Sequence, residues 1–232
     1  MPSTLQPGCQ LGLLLVLLAV GSCGAEEQPE RAGLTYVYRC SDQQRFVVRF
    51  EPHRAWIFVG EKTLSVPQIP AASGMLYTAG DVTFRARGRE ATLQLGDVRH
   101  DACVLVPTEA PWEEARLRGV DFRATGDAEA WTLEIRDGQD VVFVPDAGKT
   151  RNEAHYTAPQ VLPGSSTRVY EFDGSAGPFR ATLNPTTDCS GATADEQLTT
   201  RVSIEWNGRT FSGCGRFLHC YCRPLNPEPM NP

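Results

Sequence analysis

The sequence lacks long runs of helix-forming residues, since no extended stretch of Ala, Leu, Glu and Lys occurs after residue 25. Gly and Pro are plentiful instead, with 21 and 17 residues, and this composition favours strands and turns. No G-x-S-x-G, H-E-x-x-H or phosphate-binding glycine motif is present, so the common catalytic signatures are absent. The histidines lie in unrelated contexts, at His53, His100, His155 and His219. We therefore predict that the chain is not an enzyme, and we expect no catalytic residue, metal site or cofactor.

The chain also lacks a basic excess. Its formal net charge is -6, and this charge is unevenly spread. Residues 33–107 hold nine Lys or Arg against seven Asp or Glu, which gives +2, whereas residues 108–232 hold twelve against eighteen, which gives -6. A nucleic-acid-binding surface needs a strong basic footprint, so no nucleic-acid partner is expected.

A transmembrane-length apolar run is missing as well. The run at residues 11–20 falls far short of the roughly 20 residues that a membrane-spanning helix needs. It is typical of the core of a signal peptide, so residues 1–22 are predicted to be a leader rather than part of the fold. Export places the remaining cysteines in an oxidising compartment, where disulfides persist.

The end of this leader, Val-Gly-Ser-Cys at residues 20–23, resembles the bacterial lipobox, in which cleavage precedes a cysteine that is then lipidated. By that resemblance Cys23 is the mature N-terminus and bears the lipid anchor, including palmitate. Gly24, the residue after this cysteine, resembles the pattern of lipoproteins that are sent to the outer membrane. There the protein is expected to face the periplasm. Ordinary cleavage after Ala25, followed by secretion, is the alternative. Residues 23–33 are polar and without periodicity, and we predict a flexible tether there.

From Leu34 the hydrophobic pattern has a period of two, which is typical of strands with one buried face. Turn residues interrupt it at intervals of about ten residues, as in small barrels and sandwiches. The apolar positions include Leu34, Tyr36, Tyr38, Phe46, Val48, Phe50, Trp56 and Phe58. The sequence therefore predicts an all-β protein that begins with a small antiparallel β-barrel over residues 34–107. Residues 67–74 break the pattern with two prolines and a small-residue turn, and we expect this connection on the surface.

Cysteines number six once Cys9 and Cys23 are set aside, an even number that suits a disulfide framework. Cys40 lies on the inward face of the first predicted strand, and Cys103 closes the last strand of the barrel. A bond between them would close a loop of 63 residues and contribute about 4 kcal/mol in the chain-entropy model. The alternative is a pair of buried thiols.

A second β-rich domain is predicted after the barrel. Residues 108–119 are polar and are interpreted as a linker, although their charged residues would permit a short helix. Residues 120–222 alternate again, with hairpin signals at Asp137-Gly138 and Asn207-Gly208. The proline-containing end, residues 223–232, is predicted to be a disordered tail.

Four motifs occur along the first predicted domain, in the order Tyr38-Arg39-Cys40, Ser73-Gly74-Met75-Leu76-Tyr77, Phe84-Arg85-Ala86-Arg87-Gly88 and Asp101-Ala102-Cys103. The family of membrane-bound inhibitors of C-type lysozyme carries similar motifs in the same order. The first domain, residues 34–107, therefore resembles this family of bacterial envelope lipoproteins. The resemblance implies an eight-stranded antiparallel barrel whose surface loop enters the lysozyme cleft. There a serine hydroxyl and a basic side chain engage the two catalytic carboxylates.

The resemblance also implies which residues bind lysozyme. Ser73 supplies the hydroxyl, Gly74 lets the backbone approach closely, and Tyr77 either braces the loop or adds a phenol contact. Arg87 stands where most members have Lys, which keeps the charge and offers a carboxylate two hydrogen bonds. Ala86 stands where many members have Ser or Thr, so one hydroxyl contact is expected to be missing.

The second predicted domain contains Phe122-Arg123-Ala124-Thr125-Gly126, Trp131-Thr132-Leu133-Glu134-Ile135, Cys189-Ser190-Gly191 and Gly213-Cys214-Gly215-Arg216. With these motifs it resembles an uncharacterised β-rich domain of bacterial lipoproteins, a resemblance that implies no activity. Cys189 and Cys214 are predicted to pair, whereas Cys220 and Cys222 form either a local bridge or a bond to another chain. A zinc site of Cys214, His219, Cys220 and Cys222 is the alternative.

These observations predict an envelope-anchored inhibitor that blocks C-type lysozyme with its Ser73 and Arg87 surface. Its expected partners are the lysozyme and, through Cys23, the membrane. The acidic second half is expected to help capture a basic lysozyme by electrostatic steering. The alternative is an envelope structural or ligand-binding lipoprotein that does not inhibit lysozyme.

Overall fold

A computed structural model describes residues 34–126, 129–146, 148–155, 158–174, 177–190 and 197–219. These residues form strands β1–β17 and one helix, α1. They lie within one compact unit, Arg31–Pro232. The predicted all-β fold is confirmed, because a closed eight-stranded barrel is followed by a curled nine-stranded sheet.

The first eight strands form a closed antiparallel barrel in which each strand pairs with its neighbours in the chain. Their bounds are β1 Leu34–Arg39, β2 Arg45–Glu51, β3 Arg54–Val59, β4 Lys62–Ile69, β5 Met75–Ala79, β6 Val82–Arg87, β7 Glu90–Leu95 and β8 Val98–Leu105. The barrel closes where Tyr38 and Arg39 of β1 pair with Leu105 and Val104 of β8. Because β8 returns to β1, this barrel has no edge strand.

The inward side chains of the barrel form a core rich in aromatic rings. Tyr38 is fully buried and stacks on Phe46, with ring centroids 5.4 Å apart. Phe84, also fully buried, contacts both of these rings. The predicted Cys40–Cys103 disulfide is confirmed, and it joins positions 63 residues apart in the sequence.

The connection predicted at residues 67–74 is shorter than expected, because β4 runs through Pro67 and β5 soon follows. The Gln68 N–H donates to the His53 carbonyl at 2.8 Å, so the preceding proline nitrogen points to the opposite side of β4. On that side the pairing with β5 starts only at Gln68. The missing N–H of Pro67 therefore removes no hydrogen bond from the sheet. Residues 70–74 are exposed, as expected.

The remaining strands form an antiparallel sheet in the order β12-β11-β10-β9-β17-β16-β15-β14-β13. Their bounds are β9 Phe122–Gly126, β10 Thr132–Arg136, β11 Asp140–Val144, β12 Asn152–His155, β13 Gln160–Val161, β14 Arg168–Gly174, β15 Gly177–Ser190, β16 Gln197–Trp206 and β17 Arg209–Phe217. Both predicted hairpins are present: Asp137-Gly138 lies between β10 and β11, and Asn207-Gly208 lies between β16 and β17. The predicted second β-rich domain is thereby confirmed.

This sheet encloses a core of its own. Phe143 contacts Trp131, Phe179 and Phe211, with ring centroids 5.2 to 6.0 Å apart. The predicted disulfide between Cys189 of β15 and Cys214 of β17 is confirmed, and these cysteines are 25 residues apart. The two sheets therefore have separate cores and separate disulfides.

The segment interpreted as a linker contains helix α1, Ala110–Leu117. A helix of eight residues is marginal by itself, so its formation depends on contacts that the local sequence does not show. Trp112 is 4% exposed and packs with Cys189, Leu198 and Cys214 of the second sheet. The guanidinium of Arg216 lies 5.0 Å from the centre of its ring.

Helix α1 and its N-cap residue Glu109 are also joined to the barrel by ion pairs. Arg45 of β2 donates to Glu109 at 2.7 Å and to Glu113 at 2.6 Å. Arg116 also donates to Glu113, at 2.6 Å. Burial raises the pKa of Glu113, but the hydrogen bonds from Arg116 and Arg45 outweigh it, so the pKa lies below the ordinary value. Residues 108–119 thus form a packed connection between the two sheets.

Candidate functional site

The residues predicted to bind lysozyme lie where β5 begins and β6 ends. Ser73 and Gly74 immediately precede β5, and Arg87 is the last residue of β6. Met75 of β5 is paired with Ala86 of β6. This register extends to place Gly74 opposite Arg87, so the pairing of the two strands brings the predicted residues together.

Gly74 explains why these strand ends lie so close. Its φ angle is +71°, a left-handed conformation that favours glycine. A Cβ atom at this position would collide with the carbonyl oxygen of Ala86 and lie 3.4 Å from the Cβ of Arg87. Only a residue without a side chain fits this approach, which holds exposed Ser73 beside the end of the strand that carries Arg87.

Arg87 is exposed at the end of β6, together with Arg85 two residues before it. Phe84 and Ala86 alternate with these arginines and are buried in the barrel. Among the residues that the structure describes, none forms an ion pair with Arg87. A hydroxyl and a guanidinium are therefore presented to solvent on one rim of the barrel, where they can donate hydrogen bonds to carboxylates.

Tyr77 lies in the core rather than on this surface. It is 3% exposed, and its ring centroid is 5.7 Å from that of Phe50 and 6.0 Å from that of Phe84. Its hydroxyl donates to the Met75 sulfur at 3.8 Å. Of the two roles predicted for Tyr77, this position favours bracing of the strand that follows Ser73.

Ala86 does not leave a gap on the recognition surface. It is 1% exposed and belongs to the core cluster of the barrel. A serine or threonine hydroxyl at this position would point inward, so the expectation that Ala86 removes a contact to lysozyme is wrong. The sequence alone could have given this result, because the alternation of β6 places residue 86 on the face of Phe84.

The remaining predicted cysteines either lie outside the described residues or form a disulfide. Cys23, Cys220 and Cys222 lie outside the described residues. Cys214 is bonded to Cys189, which removes one thiolate from the alternative zinc site that included His219. Within the described ranges, no cluster of three or more potential metal ligands occurs.

Within the parts of the chain that the structure describes, no helix has the length and apolarity needed to cross a membrane.

Comparison with known proteins supports the family resemblance predicted for the first domain. Residues 38–101 match the family model described as membrane-bound lysozyme-inhibitor of c-type lysozyme, and the predicted resemblance of the barrel to this family is confirmed. No curated protein and no solved structure matches the chain. The family description implies lysozyme inhibition in general and association with the cell envelope.

Proposed function

We propose that this chain, whose residues 38–101 match the family of membrane-bound inhibitors of c-type lysozyme, inhibits lysozyme by inserting its Ser73 and Arg87 surface into the catalytic cleft. The observation that carries this proposal is the close approach of Gly74 to the Ala86 carbonyl oxygen. That approach would keep exposed Ser73 next to the end of β6, where Arg87 is exposed. Inhibition of this kind is stoichiometric and needs no chemistry in the inhibitor.

The chemistry of the two side chains suits the target. Lysozyme-type glycosidases use two carboxyl groups, one protonated as the acid and the other ionised. The Ser73 hydroxyl can donate a hydrogen bond to either group. The Arg87 guanidinium can bind the ionised group with two parallel hydrogen bonds. Occupation of both carboxyl groups would keep the sugar substrate out of the cleft.

The proposal places the inhibitor on the outer membrane, facing the periplasm. A lipid on Cys23 would anchor the chain after removal of residues 1–22, and residues 23–33 would tether the barrel to the membrane. Support comes from the lipobox resemblance at residues 20–23 and from the membrane-bound description of the matching family. Mass spectrometry of the membrane fraction tests the anchor: a diacylglyceryl-modified Cys23 is expected, and an unmodified N-terminus at Glu26 would contradict it.

The inhibition mechanism is tested by titrating c-type lysozyme with purified protein. The double variant Ser73→Ala/Arg87→Ala should bind at least roughly thirtyfold more weakly, because loss of a buried charged partner costs about 2–5 kcal/mol. The matched control is Ser65→Ala/Arg54→Ala, which removes the same atoms from exposed positions on β4 and β3. Equal inhibition by both double variants would refute the proposed surface.

The alternative is an envelope lipoprotein that binds no lysozyme. The missing hydroxyl at Ala86 was the observation that favoured it, and this observation no longer does so because Ala86 is buried. The same titration separates the two functions, since the alternative requires that wild-type protein forms no complex with lysozyme.

A further inference from the structure

An apolar pair of side chains lies on the outer face of the barrel, beside the proposed inhibitory surface. Ile69, the last residue of β4, is paired with Leu76 of β5. Val66 of β4 and Tyr77 of β5 point into the core, and the alternation of each strand directs Ile69 and Leu76 to the other side. Neither residue belongs to the side chains that form the barrel core or pack against it.

The connection to the second sheet leaves this pair uncovered. Helix α1 packs on β1 of the barrel. Strand β5 is four strands away from β1 in either direction around the closed barrel, so α1 and β5 lie on opposite sides of it. Ile69 and Leu76 are both partly exposed. Their apolar surface is therefore available to a partner molecule.

Strand register places the apolar pair next to the arginines of β6. Leu76 is paired with Arg85, which is exposed and precedes Arg87 by two residues on the same face. Ser73 precedes Leu76 by three residues in the chain. The row formed by Ile69, Leu76 and Arg85 thus runs beside Ser73 and Arg87, and together they make one continuous outer face.

A hydroxyl pair borders Leu76 on its other side. Thr78 of β5 is paired with Thr83 of β6, and their hydroxyl oxygens lie 3.2 Å apart. The Thr78 hydroxyl donates to the Val82 carbonyl at 3.1 Å. These hydroxyls are therefore bonded within the hairpin. An apolar centre bordered by polar and charged groups is the usual anatomy of a protein–protein interface.

We propose that Ile69 and Leu76 form an apolar contact with c-type lysozyme, beside the cleft that Ser73 and Arg87 enter. The inference rests on the proposed function and names a further part of the same interface. Apolar side chains that pack beside a charged contact exclude water from it. In the complex, Ile69 and Leu76 would thus strengthen the hydrogen bonds between Arg87 and a catalytic carboxylate.

Charge and position favour lysozyme over two other occupants of this face. A symmetric dimer joined through the face would bring Arg85 and Arg87 of both copies together, and like charges at an interface are unfavourable. A membrane bound to the face would cover Ser73 and Arg87 as well. Lysozyme instead offers carboxylates to these arginines.

Calorimetric titration of c-type lysozyme with purified protein tests the contact. The variant Ile69→Thr/Leu76→Thr keeps residues suited to a strand but removes apolar surface, so it should bind about tenfold more weakly or worse. The matched control is Val161→Thr/Leu162→Thr, at exposed apolar residues of the second sheet, and it should bind as tightly as wild type.

The heat capacity change of binding separates a contact from an indirect effect. Burial of apolar surface makes this change negative, so it should be less negative for the variant than for wild type and the control. Near-ultraviolet circular dichroism shows whether each variant is folded. If the double variant is not, Leu76→Thr alone replaces it and should bind about threefold more weakly or worse.

The outcomes separate this inference from the proposed function. If wild type binds lysozyme and the folded variant binds equally well, the apolar contact is refuted and the Ser73 and Arg87 mechanism stands. If wild type forms no complex, both are refuted. Sedimentation and binding to vesicles of phosphatidylethanolamine and phosphatidylglycerol test the other occupants. Loss of a dimer or of vesicle binding in the variant, with unchanged lysozyme affinity, would assign the face to a second copy or to the membrane.

Discussion

The barrel and the second sheet differ in how their strands close and in what their disulfides join. The barrel closes completely, with β8 paired to β1 and the Cys40–Cys103 bond linking the two ends of its chain. The second sheet curls so that β12 approaches β14, and its Cys189–Cys214 bond joins β15 to β17 across the intervening β16. The barrel is thus a small closed support for a rim of polar side chains, whereas the second sheet stays open.

The two regions also differ in the sign of their charge. Exposed arginines lie at the end of β6 in the barrel, while the acidic excess of the chain belongs to residues 108–232. The proposed steering of a basic lysozyme would therefore come from the second sheet, and the contact with catalytic carboxylates from the barrel. In this proposal, recognition and electrostatic attraction would come from different parts of the molecule.

Removal of each disulfide is expected to have the largest effect and to distinguish the two regions. In the chain-entropy model, Cys40→Ala/Cys103→Ala costs about 4 kcal/mol and Cys189→Ala/Cys214→Ala about 3.5 kcal/mol of unfolding free energy. Urea unfolding measures both losses. Only the first pair should also weaken lysozyme inhibition, because only that bond holds the barrel. A selective loss of inhibition in the second pair would contradict the division of roles.

Gly74→Ala should be the most damaging single glycine change in the barrel. The left-handed backbone and the collision with the Ala86 carbonyl together cost about 2–3 kcal/mol, and the displacement of Ser73 should weaken inhibition. Gly80→Ala is the control, since Gly80 has a φ angle of +59° with no atom within 4 Å of a built Cβ. Equal stability and inhibition of the two variants would show that the close approach at Gly74 is unimportant.

Glu113→Gln tests whether helix α1 fixes the barrel to the second sheet. The loss should be about 1–2 kcal/mol of unfolding free energy, less than for a fully buried ion pair because Arg45 is partly exposed. Glu61→Gln, at an exposed turn of the barrel, should change stability little. A loss in the Glu61 variant as large as in the Glu113 variant would indicate a general charge effect.

The pH dependence of this ion-pair contribution has a definite sign. The pKa of Glu113 is lowered in the folded protein from its ordinary value of 4.5, so the contribution is fully present above pH 4.5 and is lost as pH falls through the folded pKa. The difference in unfolding free energy between wild type and Glu113→Gln should therefore shrink on acidification. A difference that grows below pH 4.5 would contradict the assignment.

Much of the barrel could be predicted from sequence because apolar residues alternate along several of its strands. The alternation predicts the buried faces around Tyr38, Phe46 and Phe50. In β3 it is wrong, because Ala55 and Ile57 are buried and Trp56 lies on the other face. The resemblance predicts that Ser73 and Arg87 share one functional surface. Helix α1 was not predicted, since its stability comes from Trp112 packing on the second sheet and from Arg45 on the barrel. Local sequence does not show such contacts.

Two expectations fail because a single residue does not show which side of its strand it faces. A proline at position 67 predicts an interruption of the sheet, but its nitrogen faces a side where β4 is not yet paired with β5. The resemblance predicts a missing surface contact at Ala86, but Ala86 alternates with Arg85 and Arg87 and points into the core. In both cases the expectation fails because of the side of the strand that the residue faces.

A double-mutant cycle across the complex is the most direct measurement of the central claim. One change is Arg87→Ala in this protein, and the other replaces the ionised catalytic carboxylate of a c-type lysozyme by its amide. Binding is measured by calorimetry for all four combinations. Direct contact between the two groups predicts a coupling energy of at least about 1 kcal/mol, whereas independent sites add within about 0.5 kcal/mol. Additive losses would show that Arg87 does not engage the catalytic carboxylate and would contradict the proposed mechanism.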